Sequence, residues 1–329
     1  MADYEEIIQI LKNHDAFKGE IKKNEPLATK TTFKVGGPAD LFIAPQNYYS
    51  FQIAIDALLQ NNCRFFIMGG GSNLVFSDEG YRGAVICTSN FSDAAYFQPS
   101  NISPQFGKVT LAKNQTLITC FCGTPMKELV DFCTENSISG MERFAGLPGS
   151  VGGAVYMNAR CFDCSISERL FSVSWIEFSQ NKTELKQEKF DPSQWAYKKS
   201  PYQSGNKFIT TATFLLTQKN ASEQESIVQE CQKYINEREA RGHFKFPSAG
   251  SVFKNNRSFG KPSGQIIDEA GLRGYAIGGA KVADFHGNFI INNGNAKASE
   301  IKQLVEYVQS QVKQKFGFML EPEIIFVEK

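Results

Sequence analysis

A glycine-rich segment at residues 144–159 is the feature that most constrains what this chain can fold into. It has the sequence FAGLPGSVGGAVYMNA, and its glycines are Gly146, Gly149, Gly152 and Gly153. Backbone N–H groups in such a segment can approach an anion closely, because glycine has no Cβ to block the approach. The pattern indicates a loop that leads into a short buried element and faces a phosphate-bearing ligand. A tight turn between core elements would use the same residues.

A second glycine segment follows an apolar strand and reads FFIMGGGSNLVF over residues 65–76. Gly69 and Gly71 fit the first two positions of the dinucleotide fingerprint G-x-G-x-x-G, but the third falls on Leu74. It is not a P-loop, because no Gly-Lys-Ser/Thr follows. A third glycine segment, at residues 31–40, precedes both. Three such loops favour one long ligand with several polar parts, such as a dinucleotide.

The composition is that of a soluble globular protein. The chain has 329 residues, enough for two or three domains; 42% are hydrophobic and 21% are charged. The net charge of +1 offers no basic surface for nucleic acid. The N-terminal MADYEE lacks the features of a signal peptide, and no apolar run is as long as a membrane span. We expect a cytoplasmic protein without nucleic-acid or membrane partners. Its oligomeric state is not predicted, and a monomer fits the composition.

The chain contains eight cysteines. Cys161 and Cys164 form a C-x-x-C pair, but a zinc site usually needs a second pair at metal-binding spacing, and the sequence has none. A redox pair here would stand outside any thioredoxin-like pattern. Four other cysteines sit among apolar residues like small core side chains; they are Cys63, Cys87, Cys133 and Cys231. Cys120 and Cys122 are expected to alternate across a strand. We expect reduced thiols and no metal site.

Hydrophobic periodicity predicts the order of helices and strands. Helices are predicted at 4–11, 48–59, 124–133, 223–238, 262–270 and 298–315. In the third helix, Thr124 would be the N-cap and Pro125 the first helical residue. Strands are predicted at 39–43, 65–68, 83–88, 94–98, 108–112, 116–121, 170–178, 208–216, 287–292 and 320–327.

In this order, the three glycine segments resemble the flavin-binding segments of the UDP-N-acetylenolpyruvoylglucosamine reductase family. The resemblance continues through PSAGSVFK at residues 247–254, GGA at 278–280 and LEPE at 320–323, so it covers nearly the whole chain. The predicted strand ending near Leu216 runs almost directly into the helix at Glu223. In this respect the chain is similar to the shorter subtype of the family, which lacks a tyrosine-bearing loop.

The resemblance implies an α+β fold with an FAD-binding domain of the vanillyl-alcohol-oxidase (PCMH) type. That domain would have two subdomains, at residues 1–90 and 91–218. An α+β substrate domain at 219–329 would follow, and its last strand would pack back on the first subdomain.

The resemblance also implies non-covalently bound FAD, with NADPH as co-substrate. The family reduces the enolpyruvyl ether of a UDP-sugar to a lactyl ether in peptidoglycan precursor synthesis. The residues implied to hold FAD lie in the three glycine segments: Thr32, Lys34, Gly36, Gly69, Gly70, Gly71, Ser72, Asn73, Leu74, Gly146, Gly149, Ser150, Gly152, Gly153, Asn158 and Ala159.

The reaction of the family dictates which catalytic groups are needed. Hydride addition to the terminal alkene carbon leaves an enolate, which needs a cation or acid at its carboxylate and a proton donor at its carbon. Ser251 matches the proton-donor position of the family, and Glu323 matches the second acid. Lys198 stands where the family usually has the arginine of a Tyr-Arg-x-Ser motif. Lysine supplies the positive charge without the bidentate fork of arginine.

Further residues match family positions near the UDP-sugar. Arg238 and Arg241 lie three apart near the end of a predicted helix and would bind the diphosphate. Tyr197, Asn255 and His286 match other positions near the substrate.

Two alternative functions compete with the reductase. A flavin-dependent alcohol oxidase of the same superfamily would often carry flavin on a histidine or cysteine, and no histidine lies between His14 and His243. It would also leave Ser251 and Glu323 unexplained. A nucleotide-sugar binding protein without catalysis is the second alternative, and Lys198 in place of arginine favours it.

Overall fold

The computed structural model describes residues 3–91, 98–99, 110–179 and 182–328. Asp3 caps the first helix by accepting hydrogen bonds from the N–H groups of Glu5 and Glu6. The elements up to Cys87 are α1 (Tyr4–Asn13), β1 (Gly19–Pro26), β2 (Pro38–Pro45), α2 (Tyr48–Gln60), β3 (Phe65–Met68), β4 (Leu74–Phe76) and β5 (Tyr81–Cys87). Strands β1, β2, β5 and β3 form a sheet in this order, with β3 parallel to β5. The helices and strands predicted in this region are confirmed.

The middle of the chain is dominated by an antiparallel sheet with the order β12-β11-β13-β7-β6. Its elements and their neighbours are β6 (Gln98–Pro99), β7 (Gln115–Phe121), α3 (Met126–Glu135), β8 (Ile138–Ser139), α4 (Val151–Tyr156), β9 (Arg160–Cys161), β10 (Cys164–Ser165), β11 (Leu170–Ser179), β12 (Lys182–Lys189) and β13 (Lys207–Gln218). The predicted strands at 116–121, 170–178 and 208–216 are confirmed.

The strands predicted at 94–98 and 108–112 are not confirmed. Most of the strand predicted at 94–98 and the start of that predicted at 108–112 lie outside the described residues. Residues 110–112 form no strand.

Strand β12 was not predicted, because its sequence KTELKQEK lacks apolar alternation. It pairs with β11 at the edge of the sheet, where polar side chains can reach solvent.

The predicted start of α3 is wrong by one residue. Pro125 is the N-cap and Met126 the first helical residue, and Thr124 does not take the capping position. Pro125 has φ −57° and ψ 139°, an extended conformation, and forms a β-bridge with Ser150. This pairing holds Pro125 outside the helix.

The C-terminal part contains α5 (Gln224–Ala240), β14 (Ser248–Ser251), α6 (Ser263–Glu269), β15 (Ala276–Ile277), β16 (Ala280–Val282), β17 (Phe289–Asn292), α7 (Ala298–Phe316) and β18 (Ile325–Val327). Strands β14, β17, β16 and β15 form a sheet in this order, and β18 pairs parallel with β4. All three predicted helices are confirmed. The strand predicted at 320–327 is shorter than expected, since residues 320–324 pair irregularly through the bridge between Phe253 and Pro322.

Within the described residues, the chain divides into two compact units. The first unit comprises residues 1–21, 42–70 and 84–236, and the second comprises 22–41, 71–83 and 237–329. In the first, α2 packs on β13 through stacked rings of Phe51 and Phe208, with centroids 4.0 Å apart. In the second, α7 buries Ile301, Leu304 and Val308 in a core that also contains Val252, Val282 and Ile290. The division at residues 90 and 218 stays a prediction.

All eight cysteines are buried free thiols, as the apolar surroundings of Cys63, Cys87, Cys133 and Cys231 predicted. Cys120 and Cys122 do not alternate across a strand, because Cys122 lies beyond the end of β7 and both are buried. Cys161 and Cys164 face each other across the short hairpin of β9 and β10.

Over the described ranges, none of the helices combines the length and the apolar character required to cross a membrane.

Helix α7 is capped from a distant loop, which gives a test of the second unit. Asp78 accepts hydrogen bonds from the N–H groups of Ala298 (2.7 Å) and Ser299 (2.9 Å). Burial raises the pKa of Asp78, but the hydrogen bonds from Ser299 and Ala298 and the charge of Lys297 outweigh it, so its pKa lies below the ordinary value. The cap is therefore intact above the unfolded pKa of about 3.9 and weakens as pH falls through the lower folded value.

We predict that Asp78→Ala destabilises the fold at pH 7 by about 1 kcal/mol, because two N–H groups of α7 lose their acceptor. Urea unfolding followed by circular dichroism measures this loss. Glu79→Ala removes the same charge from the neighbouring residue and is the control. An equal loss in both variants would contradict capping by Asp78.

Candidate active site

Two of the predicted cofactor loops meet in the first unit. A Cβ on Gly70 would lie 2.8 Å from the Cα of Gly149, and a Cβ on Gly69 would lie 2.3 Å from the Oγ of Ser150. Gly149 has φ 99°, which favours glycine. The two loops therefore approach each other backbone to backbone, with no space for a side chain at Gly70.

The adjoining helix α4 is anchored by its own residues. Ser150 is its N-cap and accepts from the N–H of Gly153 at 3.3 Å. The N–H of Gly152 donates to the carbonyl of Cys122 at 2.8 Å, and a Cβ on Gly152 would lie 2.7 Å from the Cβ of Cys122. Gly153 is exposed, and a Cβ there would approach the Oγ of Ser150 no closer than 3.4 Å. Neighbouring glycines thus have different roles, one in packing and one at an open face.

The third predicted cofactor loop lies in the second unit beside β14. The hydroxyl of Thr32 donates to the carbonyl of Ser248 at 2.7 Å, and its N–H donates to the carbonyl of Gly71 at 3.2 Å. Gly71 has φ 63°, and a Cβ on it would lie 2.1 Å from the carbonyl oxygen of Lys30. Lys34 also has a positive φ, 57°. These contacts join the Thr32 loop, the Gly71 loop and the Ser251 strand within one unit.

Ser251 and Glu323 lie on paired segments of the second unit. The N–H of Glu323 donates to the carbonyl of Val252 at 2.7 Å, and that of Lys254 donates to the carbonyl of Glu321 at 2.9 Å. The side-chain amide of Asn73 donates to the carbonyl of Glu323 at 3.0 Å. The structure therefore brings both predicted acids, and one predicted cofactor residue, onto one hydrogen-bonded framework.

Asn288 supports this framework and was missed by the sequence analysis. Its side chain accepts from the N–H of Phe253 and donates to the carbonyl of Phe253, both at 2.8 Å. It is 3% exposed. An asparagine before an apolar strand gives no signal of such a role, because the contact joins residues 35 positions apart.

Two neutral histidines lie close to the predicted diphosphate residues. Burial, followed by the charge of Arg238, lowers the pKa of His243 to about 4. Burial also lowers the pKa of His286, whose Nδ1 accepts from the N–H of Asn288 at 3.1 Å. At neutral pH positive charge therefore comes from Arg238 and Arg241, while the histidines act as neutral hydrogen-bonding groups. His243 was not predicted as a site residue.

The rings of these histidines pack around Phe289, the residue that pairs with Ser251 in the sheet. The His243 ring stacks on Phe289 with centroids 4.7 Å apart, and the His286 ring meets it at 5.0 Å.

Arg238 is 7% exposed within α5, and Arg241 lies just beyond its end, paired with Glu237. Asn255 accepts from the N–H of Ser263 at the start of α6, at 2.8 Å.

Lys198 lies at the tip of a turn in the first unit. It is partly buried, whereas Lys199 beside it is exposed. Its Nζ is 5.9 Å from the ring centroid of Tyr197. The amide of Asn158 donates to the carbonyl of Ala196 in this turn, at 2.8 Å.

The predicted site residues are divided between the units. The first unit holds Gly69, Gly70, Gly146, Gly149, Ser150, Gly152, Gly153, Asn158, Ala159, Tyr197 and Lys198. The second holds Thr32, Lys34, Gly36, Gly71, Ser72, Asn73, Leu74, Arg238, Arg241, Ser251, Asn255, His286 and Glu323.

Comparisons with known proteins identify the family of the chain. A profile for the C-terminal domain of UDP-N-acetylenolpyruvoylglucosamine reductase matches residues 242–327, and one for an FAD-binding domain matches residues 39–174. The UDP-N-acetylenolpyruvoylglucosamine reductase of Treponema denticola is 42% identical over 97% of this chain and 98% of its own. The chain belongs to the UDP-N-acetylenolpyruvoylglucosamine reductase family.

Other members of the reductase family match with similar coverage. The Bacillus subtilis reductase is 33% identical over 97% of each chain. The crystal structure of the reductase from Thermus caldophilus has a TM-score of 0.68 and 27% identity, covering 94% of this chain and 99% of the other. The predicted resemblance to the family is confirmed, and so is the fold class of an FAD-binding domain with a reductase C-terminal domain. By its family, the chain is a flavoprotein oxidoreductase.

The packing of the adjacent glycines of α4 can be tested by substitution. We predict that Gly152→Ala destabilises the fold by about 1–3 kcal/mol, because its Cβ would overlap Cys122. Gly153→Ala should leave stability unchanged or raise it by up to about 1 kcal/mol, since the site is open and helical. Urea-unfolding midpoints of the two flavin-free variants measure the difference. Equal losses would contradict the packing described for Gly152.

Proposed function

We propose that this chain reduces UDP-N-acetylglucosamine enolpyruvate to UDP-N-acetylmuramate, using FAD and NADPH, in the cytoplasmic synthesis of peptidoglycan precursors. The observation that carries the proposal is the 42% identity to a UDP-N-acetylenolpyruvoylglucosamine reductase over nearly the whole of both chains. The pairing of the Ser251 segment with the Glu323 segment supports it, because the reaction needs two acids close together.

The glycine loops fit a bound FAD. Gly70 is exposed and Gly69 and Gly149 are partly exposed, and the backbone N–H groups of such glycine loops can donate to the diphosphate of a dinucleotide. Thr32, Asn73 and the other residues of the three segments would complete the binding site. FAD would be held without a covalent bond, because the region matching the FAD-binding domain contains no histidine and its cysteines are buried. When bound, FAD supplies hydride transfer from NADPH to the terminal carbon of the enolpyruvyl group.

Ser251 would be the proton donor to the carbon beside the carboxylate. The hydroxyl loses its proton as the C–H bond forms, which is feasible for serine because the enolate carbon is strongly basic. Gly250, with φ 72° and open space where a Cβ would stand, lets a ligand approach this strand. Glu323 would stabilise the enolate from the segment paired with β14.

Lys198 would neutralise the substrate carboxylate with its ammonium group. Arg238 and Arg241 would bind the diphosphate, and their charges remain while the nearby histidines are neutral. Tyr197, Asn255 and His286 would make further contacts with the UDP-sugar. Asn255 could offer its amide N–H groups for this contact, while its carbonyl oxygen accepts from the N–H of Ser263.

Anaerobic turnover tests the function against its alternatives. We expect the purified protein to be yellow, to release FAD on acid denaturation, and to consume NADPH when the enolpyruvyl UDP-sugar is added. An alcohol oxidase would require oxygen, and a binding protein would bind the sugar without consuming NADPH. Flavin that stays on the denatured chain, or NADPH consumption that is independent of the sugar, would contradict the proposal.

The two half-reactions separate the role of Ser251. We predict that Ser251→Ala slows oxidation of the reduced flavin by substrate by about 10²–10⁴, because a positioned acid is lost. Reduction of the flavin by NADPH should stay near the wild-type rate, since it precedes any carbanion. Rapid-mixing absorbance resolves the two steps, with Ser258→Ala as a control at an exposed serine of the same unit. Equal slowing of both steps would show that Ser251 shapes the flavin or nicotinamide site instead.

A further inference from the structure

The turn that carries Lys198 has an unfavourable backbone conformation. Ala196 and Lys199 close it with mutual hydrogen bonds, the N–H of Ala196 donating at 3.3 Å and that of Lys199 at 3.0 Å. Lys198 occupies the third position with φ 58°, while Tyr197 before it has no positive φ. This is the pattern of a type II turn, which favours glycine or asparagine at that position. A lysine there is strained, because its Cβ crowds the following carbonyl.

Two side chains hold this turn in place. The amide of Gln203 donates to the carbonyl of Lys198 at 3.2 Å and to the carbonyl of Tyr156 at 2.8 Å. The amide of Asn158 donates to the carbonyl of Ala196 at 2.8 Å. The carbonyls of Ala196 and Lys198, on either side of Tyr197, are therefore held by side chains that lie outside the turn.

Asn158 lies at the end of the glycine segment, and Gln203 is bonded to that segment through the carbonyl of Tyr156. Tyr156 ends α4, and Asn158 follows two residues later with φ 43° and 3% exposure. The Oδ1 of Asn158 accepts from the N–H of Ser167 at 3.4 Å, so its amide is oriented toward the turn. The hydroxyl of Ser200 adds a bond of 2.7 Å to the carbonyl of Tyr156. The strained turn is therefore tied to the segment predicted to hold the cofactor.

We propose that Gln203 and Asn158 are positioning residues that fix Lys198 in its left-handed conformation and so aim its ammonium group relative to the glycine segment. The identity of the group it is aimed at, the substrate carboxylate, rests on the proposed function. Asn158 would then serve the reaction through the turn, in addition to any contact with FAD. Lys199, one residue on and exposed, is directed to solvent by the same turn.

A double-mutant cycle tests the role of Gln203. Gln203→Met keeps the length of the side chain and removes the donor; it should slow oxidation of the reduced flavin by substrate about 10- to 100-fold, because Lys198 is misplaced. Flavin reduction by NADPH and flavin content should match the wild type. In a Lys198→Ala background, Gln203→Met should have no further effect, since it acts through Lys198. Gln194→Ala removes the amide of an exposed glutamine in the same region and is the control.

Thermal unfolding tests the strain without using activity. Lys198→Asn should raise the unfolding midpoint by about 2–4 °C, because asparagine tolerates a positive φ. Lys199→Asn should leave the midpoint unchanged. Independent effects of Gln203→Met and Lys198→Ala on substrate oxidation, or no gain in midpoint for Lys198→Asn, would overturn the proposal. If the wild-type protein does not reduce the enolpyruvyl sugar, the proposed function fails, while the midpoints still decide whether the turn is strained.

Discussion

The absence of a Cβ at a few positions is the constraint on which much of this structure depends. Gly70 meets Gly149 backbone to backbone, Gly152 meets Cys122, and Gly71 lies so close to Lys30 that a Cβ would overlap its carbonyl oxygen. Each contact joins two segments that are distant in the chain, so a side chain at any of these glycines would push two segments apart. The glycine pattern is thus a packing requirement of both units as well as a means of exposing backbone to a ligand.

In the second unit, the same close packing extends to the residues with acid chemistry. Thr32 donates to the strand that ends at Ser251, and Asn73 donates to the carbonyl of Glu323. Asn288 bonds to both the N–H and the carbonyl of Phe253, which lies two residues after Ser251 in the segment that pairs with the Glu323 segment. A residue predicted to contact cofactor therefore shares hydrogen bonds with one predicted to contact substrate. A shift in either loop would be transmitted to Ser251 and Glu323 through a few bonds of about 3 Å.

Much of this architecture could be predicted from the sequence, because the strongest signals are local. Helices such as α7 show regular apolar spacing, and long apolar strands such as β11 and β13 are flanked by turns. Strand β12 escaped prediction because an edge strand needs no apolar alternation. The roles of Asn288 and Gln203 escaped for a different reason: each depends on a contact with a carbonyl whose position is set by the fold. The glycine segments predict loops that would hold a cofactor, and this role stays a prediction. The conformation of Lys198 could not be foreseen from a lysine pair in a polar stretch.

The pairing of β18 with β4 has a consequence for folding during synthesis. Asn73 and Glu323, which bond beside this pairing, are 250 positions apart in the chain. A ribosome releases residues in order, so β4 emerges long before β18 has been synthesised. The backbone groups of β4 that pair with β18 therefore have no partner there until nearly the entire chain has been made. Closing so long a loop is entropically unfavourable and tends to be slow. The framework that holds Glu323 beside the Ser251 strand is therefore among the last parts to assemble during synthesis, after the first unit has all of its residues.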